Sequence, residues 1–393
     1  MSLKVLHVIP SVSPQRGGPS KAVLQMVAAL KQTDVHAEIA TTNDNGVDLL
    51  DVPLDTLTER QGAPIRYFER WSPAIPELRE FQYSSSFVNW LKQHIKDYDL
   101  LHVHAIFSFC SSYAMWLARR TNVPYVVRPI GQLEPWSLQQ SQFKKALYLR
   151  TVERNNLRQA AAIHFTAISE QENAANVPSG TGRVIPLGVE QSMPIRDAGV
   201  KLRQRYKLAQ AAPVIVFLGR LHEKKGLEIL LDALARNEEG WQLLIAGDGD
   251  PAYVQRIQAK IDTHNLTEQV QLVGFVEGAE KNLLLQGADL FALTSQSENF
   301  GIAVLEALNV GTPVLLSDAV ALAPEIERYK LGFVTRLDID QIETTIASAL
   351  QAIEEDRFES SQIQQYVAQH YRWDAIAEQL KLAYADIIER HAK

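Results

Sequence analysis

Residues 288–311, ADLFALTSQSENFGIAVLEALNVG, decide how the chain is read. Ala288–Thr294 is a short apolar run of the kind that forms a buried parallel strand, and a polar loop, Ser295 to Asn299, follows it. Beyond Phe300-Gly301 the apolar residues Ile302, Leu305 and Leu308 recur at helical spacing. Strand, loop and helix start in that order leave unbonded backbone N–H groups and a partial positive charge above the strand ends. Glu298 in the loop and Glu306 on the helix flank that anion-attracting start, eight positions apart.

About eighty residues upstream lies a second constellation, Phe217-Leu-Gly-Arg-Leu-His-Glu-Lys-Lys-Gly226. A strand ends at Gly219, the loop presents Arg220, Lys224 and Lys225, and Gly226 opens the next helix. Arg220 offers a planar fork and Lys225 a point charge, and both suit a diphosphate. The spacing is neither that of a P-loop nor Gly-x-Gly-x-x-Gly, so neither P-loop nucleotide hydrolysis nor dinucleotide oxidoreduction is favoured. Loops at the C-terminal ends of parallel strands are where open α/β sheets take ligands.

At 393 residues the chain is long for one domain, so two are expected. A net charge of −7, from 39 basic and 46 acidic residues, argues against nucleic acid as a partner. No apolar run reaches membrane-spanning length, and MSLKVLHVIPSVSP at the start reads as a strand rather than a signal peptide. The single cysteine, Cys110, suits a reducing, cytoplasmic setting and reads as a small buried hydrophobe.

Strands and helices alternate. Leu3–Ile9 opens the chain as a strand, and the following loop closes on Gly17-Gly18, with Pro19 in the first turn of a helix through Leu30. Val35–Thr41, Ile65–Phe68, Leu100–Val103, Tyr125–Val127, Ala162–Phe165 and Val184–Pro186 read as further strands, with helices at Ser84–Ile95, Ser111–Thr121 and Phe143–Ala160 between them. The rhythm pauses from Gly188 to Asp197, where the linker is placed, and restarts at Val214–Leu218. Leu243–Ala246, Val270–Val273 and Pro313–Leu316 continue it, with helices at Leu227–Ala235 and Val254–His264. The expected fold is α/β: two doubly wound, Rossmann-like domains facing across a cleft, residues 1–190 and 191–372, with the amphipathic segment 373–393 returning to the first.

Gly-Arg-Leu-x-x-x-Lys-Gly at 219–226 together with Glu-x7-Glu at 298–306 resembles the donor half of the family 4 retaining glycosyltransferases, which have the GT-B architecture. The likeness extends over nearly the whole chain: Gly17-Gly18, His102-Val-His104, Pro186-Leu-Gly-Val189, Gly247-Asp-Gly249, Val273-Gly-Phe-Val276 and Tyr371-Arg-Trp-Asp374 sit where that family has comparable signatures. Val127–Trp136 is similar to a bacterial polysaccharide-biosynthesis subgroup, except that Ile130-Gly-Gln-Leu stands where the subgroup often has Arg-Gly-Met-Leu.

The resemblance implies transfer of a hexosyl group from a UDP-sugar to a saccharide or lipid-linked saccharide, with retention of configuration and no metal or other cofactor. Arg220 and Lys225 would hold the diphosphate, Glu306 the ribose, and Glu298 with the N–H groups of Asn299, Phe300 and Gly301 the sugar. Phe275 and Val276 would edge the base, and Gly17 and Gly18 would let the first loop approach the phosphates. His104 and Glu298 would stand at the reacting sugar, and Arg128 and Gly131 on the acceptor side. His102 and His104 share one side of a strand if it extends that far. No His, Cys or Asp cluster with metal-ligand spacing is visible in the linear sequence.

One further segment stands out. Gln142–Gln159 carries Lys144, Lys145, Arg150, Arg154 and Arg158 against Glu153, a net +4 in an acidic chain, with Phe143, Leu147, Tyr148 and Leu157 among them. A basic amphipathic helix of this kind can rest on an anionic membrane at the cytoplasmic face, and it can equally pack on the core. A nucleotide-sugar epimerase and a two-lobed sugar-binding protein remain alternatives on sequence alone.

Overall fold

The computed structural model describes residues 2–139, 142–177, 179–237 and 240–392. The chain forms two compact units, Met1–Gly188 with Trp373–Lys393, and Val189–Arg372.

In the first unit the strands are β1 (Leu3–Ser11), β2 (Val35–Thr42), β3 (Asp44–Asn45), β4 (Asp48–Leu49), β5 (Leu57–Arg60), β6 (Ala63–Phe68), β7 (Leu100–His104), β8 (Tyr125–Arg128), β9 (Ala162–Phe165) and β10 (Gly182–Val184). Eight of them make one sheet in the order β10-β9-β8-β7-β1-β2-β6-β5, and β3 and β4 pair separately. Only the β5–β6 edge of the large sheet is antiparallel. The short strand β5, LTER, escapes a periodicity reading because two of its four residues are charged, as suits an edge. Helices form where caps allow: Pro19 occupies the first turn of Gly18–Leu30, and Ser84 Oγ accepts from the Phe87 N–H, 3.3 Å, to start Ser85–His94.

The expected helix Phe143–Ala160 is interrupted. It runs as Gln142–Tyr148, a π turn at Leu149–Glu153, and Arg154–Arg158. The wide turn brings Glu153 inward, where its carboxylate accepts from Ser112 Oγ, Asn156 Nδ2 and the Phe107 N–H. Burial raises its pKa. Val184–Pro186 is likewise corrected: the strand ends at Val184.

The terminal helix Trp373–Ala392 packs on the first unit. Its buried residues Ile376, Ala377, Leu380, Ala383, Tyr384 and Ile387 form one stripe, and it lies against helix Gly18–Leu30. Ion pairs Arg183–Asp386 and Lys381–Asp34 fasten its flanks.

The second unit holds β11 (Val214–Leu218), β12 (Gln242–Ala246), β13 (Val270–Gly274), β14 (Leu290–Leu293), β15 (Val314–Ser317) and β16 (Gly332–Thr335), all parallel, in the order β13-β12-β11-β14-β15-β16. The order reverses between β11 and β14, so the connections after these two adjacent strands diverge and leave a crevice at their C-terminal ends. Apart from the antiparallel β5 edge, both sheets are the parallel, doubly wound kind expected from the alternation of short strands and helices.

Candidate active site

The two constellations that the sequence sets eighty residues apart meet at that reversal. The loop after β11 carries a single 3-10 turn, Glu223–Lys225, capped by His222, whose Nδ1 accepts from the Lys224 N–H, 3.1 Å. Gly226 ends the turn with φ 67°. A Cβ there would overlap the Thr294 carbonyl oxygen at the end of β14, so only glycine permits the approach. The contact is cross-bonded: Thr294 Oγ1 donates to the Gly226 carbonyl, 2.8 Å, and the Gln296 N–H to the Lys224 carbonyl, 2.8 Å.

This stitching sets Lys225 against Glu298, and their side chains form a partly buried ion pair. The Glu298 backbone is fixed in turn, its N–H donating to the Ala319 carbonyl, 3.1 Å, and its carbonyl accepting from the Ala321 N–H, 3.0 Å. Gly301, φ 82°, stands before helix Ile302–Asn309. Phe300 is buried with its ring edge-on to Tyr371, centroids 6.1 Å apart. Glu306 on that helix pairs with Lys281 Nζ at 2.8 Å. Lys281, on helix Gly278–Gly287, is a residue that motif reading missed, since a lone lysine on a surface helix carries no signal.

Arg220 is exposed at the mouth of the β11 loop. Burial and then the Arg220 charge lower the pKa of His222. At the neighbouring strand ends, Gly247 has φ 145° and would overlap the Gly219 carbonyl oxygen if it bore a Cβ. Phe275, just past β13, leaves 64% of its surface in solvent, and Val276 beside it is partly buried.

In the first unit, Gly17, φ 76°, is the N-cap of the helix that begins at Gly18. His104 and Arg128 are register partners at the ends of β7 and β8, so their side chains share a face, as do those of the partners His7 and His102. All four are buried, with His164 of β9 and Tyr384 of the terminal helix. Burial, with the charge of Arg128 next for both, pulls the pKa of His7 and of His164 down to about 3. It also holds His102 and His104 well below the usual value. The rings are therefore neutral near pH 7, each with one N–H.

That fixes the direction of a relay. His164 Nε2 faces the Ile185 carbonyl at 2.7 Å and must donate, so His164 Nδ1 accepts from His102 Nε2, 3.2 Å. His102 Nδ1 then accepts from the Tyr384 hydroxyl at 2.7 Å. His102 is thus a fully satisfied structural residue. His104 is different: its Nε2 lies 3.0 Å from His7 Nδ1, and its Nδ1 has no partner.

One ring nitrogen from each of His7, His102 and His104 lies within 4.8 Å of the other two, a cluster that linear spacing hides because it is assembled by register across β1 and β7. The donor set suits a cation poorly. Both His102 nitrogens are consumed by the relay, no carboxylate belongs to the cluster, and the Arg128 guanidinium shares the face. Cys110 is buried, its thiol pKa is raised by that burial, and its Sγ donates to the Gln82 carbonyl, which bears out its reading as a core residue.

Comparison with known proteins supplies the rest. The family model described as "Glycosyl transferase 4-like domain" matches residues 17–188, and that described as "Glycosyl transferases group 1" matches residues 200–370. The chain is 24% identical over 401 residues to the GDP-mannose:cellobiosyl-diphosphopolyprenol alpha-mannosyltransferase of Komagataeibacter xylinus, covering 99% of this chain and 94% of the relative. Among solved structures, sucrose-phosphate synthase from Thermosynechococcus elongatus superposes with a TM-score of 0.82 at 23% identity, over 99% of this chain and 100% of that one. Anabaena HepE, in complex with UDP and glucose, superposes with a TM-score of 0.75 at 20% identity, over 98% and 100%.

Proposed function

We propose, from the premise that this chain belongs to the family 4 glycosyltransferases and has the GT-B fold, that it moves a hexosyl group from a UDP-sugar to a saccharide or lipid-linked saccharide in exopolysaccharide synthesis, with retention of configuration. The observation that carries the reading is the Lys225–Glu298 ion pair at the β11/β14 reversal. A cation poised for phosphate and a carboxylate poised for sugar hydroxyls neutralise each other until a donor separates them. Lys225 and Arg220 then take the diphosphate and offset the charge that grows on the leaving nucleotide. Glu298, with the N–H groups of Asn299, Phe300 and Gly301, turns to the sugar, and Glu306 to the ribose. Phe275 and Val276 edge the base.

For the first unit the reading keeps Gly17 and Gly18 as donor-binding residues and His104 as a catalytic residue. Arg128 and Gly131 belong to the acceptor side. The leaving phosphate accepts the acceptor's proton as the new bond forms on the same face. No metal enters this course. The named relatives and structural neighbours offer no support to the epimerase or binding-protein alternatives.

The relative from Komagataeibacter is named for GDP-mannose, whereas HepE is held with UDP and glucose, so the base is the first thing to test. Turnover of UDP-glucose, UDP-galactose, UDP-GlcNAc and GDP-mannose, with calorimetry of UDP and GDP, decides it. UDP binding that is lost on Lys225→Ala supports the reading, and GDP binding alone overturns the choice of base. No helix among the described residues is long and apolar enough to cross a membrane. Peripheral contact at the cytoplasmic face would fall to the helix Gln142–Tyr148, where Phe143 is 91% and Leu147 64% exposed beside exposed Lys144 and Arg150. Flotation with anionic and with neutral vesicles tests that contact; equal, negligible binding to both removes it.

A further inference from the structure

Helix Gly278–Gly287 is fastened to helix Ala198–Tyr206 without any help from Lys281. Its residues Leu284, Leu285 and Gly287 are buried, and a Cβ on Gly287 would overlap Leu202. Glu280 accepts from Tyr206 Oη at 2.6 Å and from Arg205 Nε at 3.1 Å. Lys281, next along the chain, turns to a different neighbour, helix Ile302–Asn309, and its Nζ donates to Glu306 Oε1 at 2.8 Å. The two side chains are 18% and 12% exposed, so the pair is largely withdrawn from water. Anchoring the helix and pairing with Glu306 are thus separate tasks, carried by neighbouring residues.

What the pairing does follows from torsional freedom. A glutamate side chain turns about several single bonds, and a ligand that needs it in one place must halt that motion. A cation seated on one carboxylate oxygen halts most of it beforehand. Ordering one long side chain in advance is worth about 2- to 13-fold in affinity, less than the hydrogen bonds it then makes. The hydrogen bonds belong to Glu306, and the readiness to make them belongs to Lys281.

We infer that Lys281 is a positioning residue for the ribose: by holding Glu306 Oε1 it presents the carboxylate ready to accept from the ribose hydroxyls, and so makes the site select nucleotides that carry the diol. The inference rests on the reading that Glu306 takes the ribose, and it adds what keeps that carboxylate in place. A polar group fixed in position rejects a ligand of the same shape that lacks its hydrogen-bonding partner, because the buried oxygen is then left unpaired. A mobile carboxylate discriminates less, since it can turn away.

The test is calorimetry on the full-length chain with UDP and with 2′,3′-dideoxy-UDP, which keeps the base and the diphosphate and lacks only the diol. If GDP is the nucleotide bound, GDP and its dideoxy analogue take their place. Wild type should prefer UDP. Lys281→Met should bind UDP about 2- to 13-fold more weakly and dideoxy-UDP as wild type does, which also shows that the fold is intact. Adding Lys281→Met to Glu306→Gln should cost nothing further, because the lysine acts only through that carboxylate. Three results overturn the inference: equal weakening of both nucleotides, which would put Lys281 on the base or the phosphates; the full preference for UDP retained in Lys281→Met; or additive losses in the double variant. If wild type binds the two nucleotides alike, the ribose reading of Glu306 fails first and the inference falls with it.

Discussion

The two sheets of this protein are built by the same rule and filled differently. In the second unit, Val214–Phe217 of β11, Leu243–Ala246 of β12, Leu290–Leu293 of β14 and Val314–Leu316 of β15 are apolar on both faces and buried. The candidate site residues there lie past the strand ends, in the loops and on the helices that follow. In the first unit one face is equally apolar: Leu6, Val8, Leu101, Val103, Tyr125, Val127, Ile163 and Phe165 join one core cluster. The other face carries His7, His102, His104, Arg128 and His164 under the terminal helix. Fold and chemistry are therefore separable in the second unit. In the first they use the same atoms.

Acid should separate the two units most strongly. His7 and His164 have folded pKa values near 3 against 6.5 when unfolded. The unfolded chain thus binds more protons between those values, and stability falls as pH drops from about 6.5 towards 3. The slope approaches about 1.4 kcal/mol per pH unit for each histidine. Glu153 and Glu170, whose pKa values burial raises, act in the opposite sense and offset part of the loss. Among the described residues the second unit has no buried histidine. Hydrogen exchange between pH 7 and 4.5 should open Leu100–His104, Ala162–Phe165 and Trp373–Ala392 before Val214–Leu218. Simultaneous opening would break the comparison.

Next in size is His102→Ala, which strands the Tyr384 hydroxyl and His164 Nδ1 and leaves a cavity. The expected cost is about 2–5 kcal/mol in urea unfolding. Lys225→Ala, in a partly exposed loop pair, should change stability by about 1 kcal/mol or less. Similar values for the two variants would erase the contrast.

Ligand binding sharpens the loop side of the comparison. Glu306→Gln should weaken UDP binding about 10- to 150-fold, the worth of charged hydrogen bonds to a part of the donor that does not react. Glu298→Gln should keep UDP affinity, since UDP lacks the sugar and Lys225 is released for phosphate, while kcat falls. Equal loss of UDP binding in both would show that the roles along this helix start are wrongly divided.

The second unit was the more legible in sequence because its signals are local. Apolar runs mark its strands, and Gly219, Gly226 and Gly301 mark turns that the structure uses. What escaped there were partners without a motif, such as Lys281, and strand β16, Gly-Phe-Val-Thr, whose glycine and half-buried residues blur the pattern. In the first unit His102 and His104 could be placed on one side of a strand, yet their meaning could not be read. His7, His164 and Tyr384 lie far off in sequence and are gathered only by sheet register and by a helix from the opposite end of the chain. The π turn at Leu149–Glu153 was likewise invisible, since it answers a buried network around Ser112 and Asn156 and not a local preference.

The terminal helix also orders events at the ribosome. The first unit's sheet is complete once β10 has emerged at Val184, but the hydroxyl that heads its histidine relay belongs to Tyr384. At about 5–20 residues per second, the nascent sheet waits roughly 10–40 s with that face uncovered. The second unit, whose residues all lie in one continuous span, can fold during the wait. The protein's beginning is thus finished only by its end, and the half-made sheet is the stage at which a chaperone has most to shield.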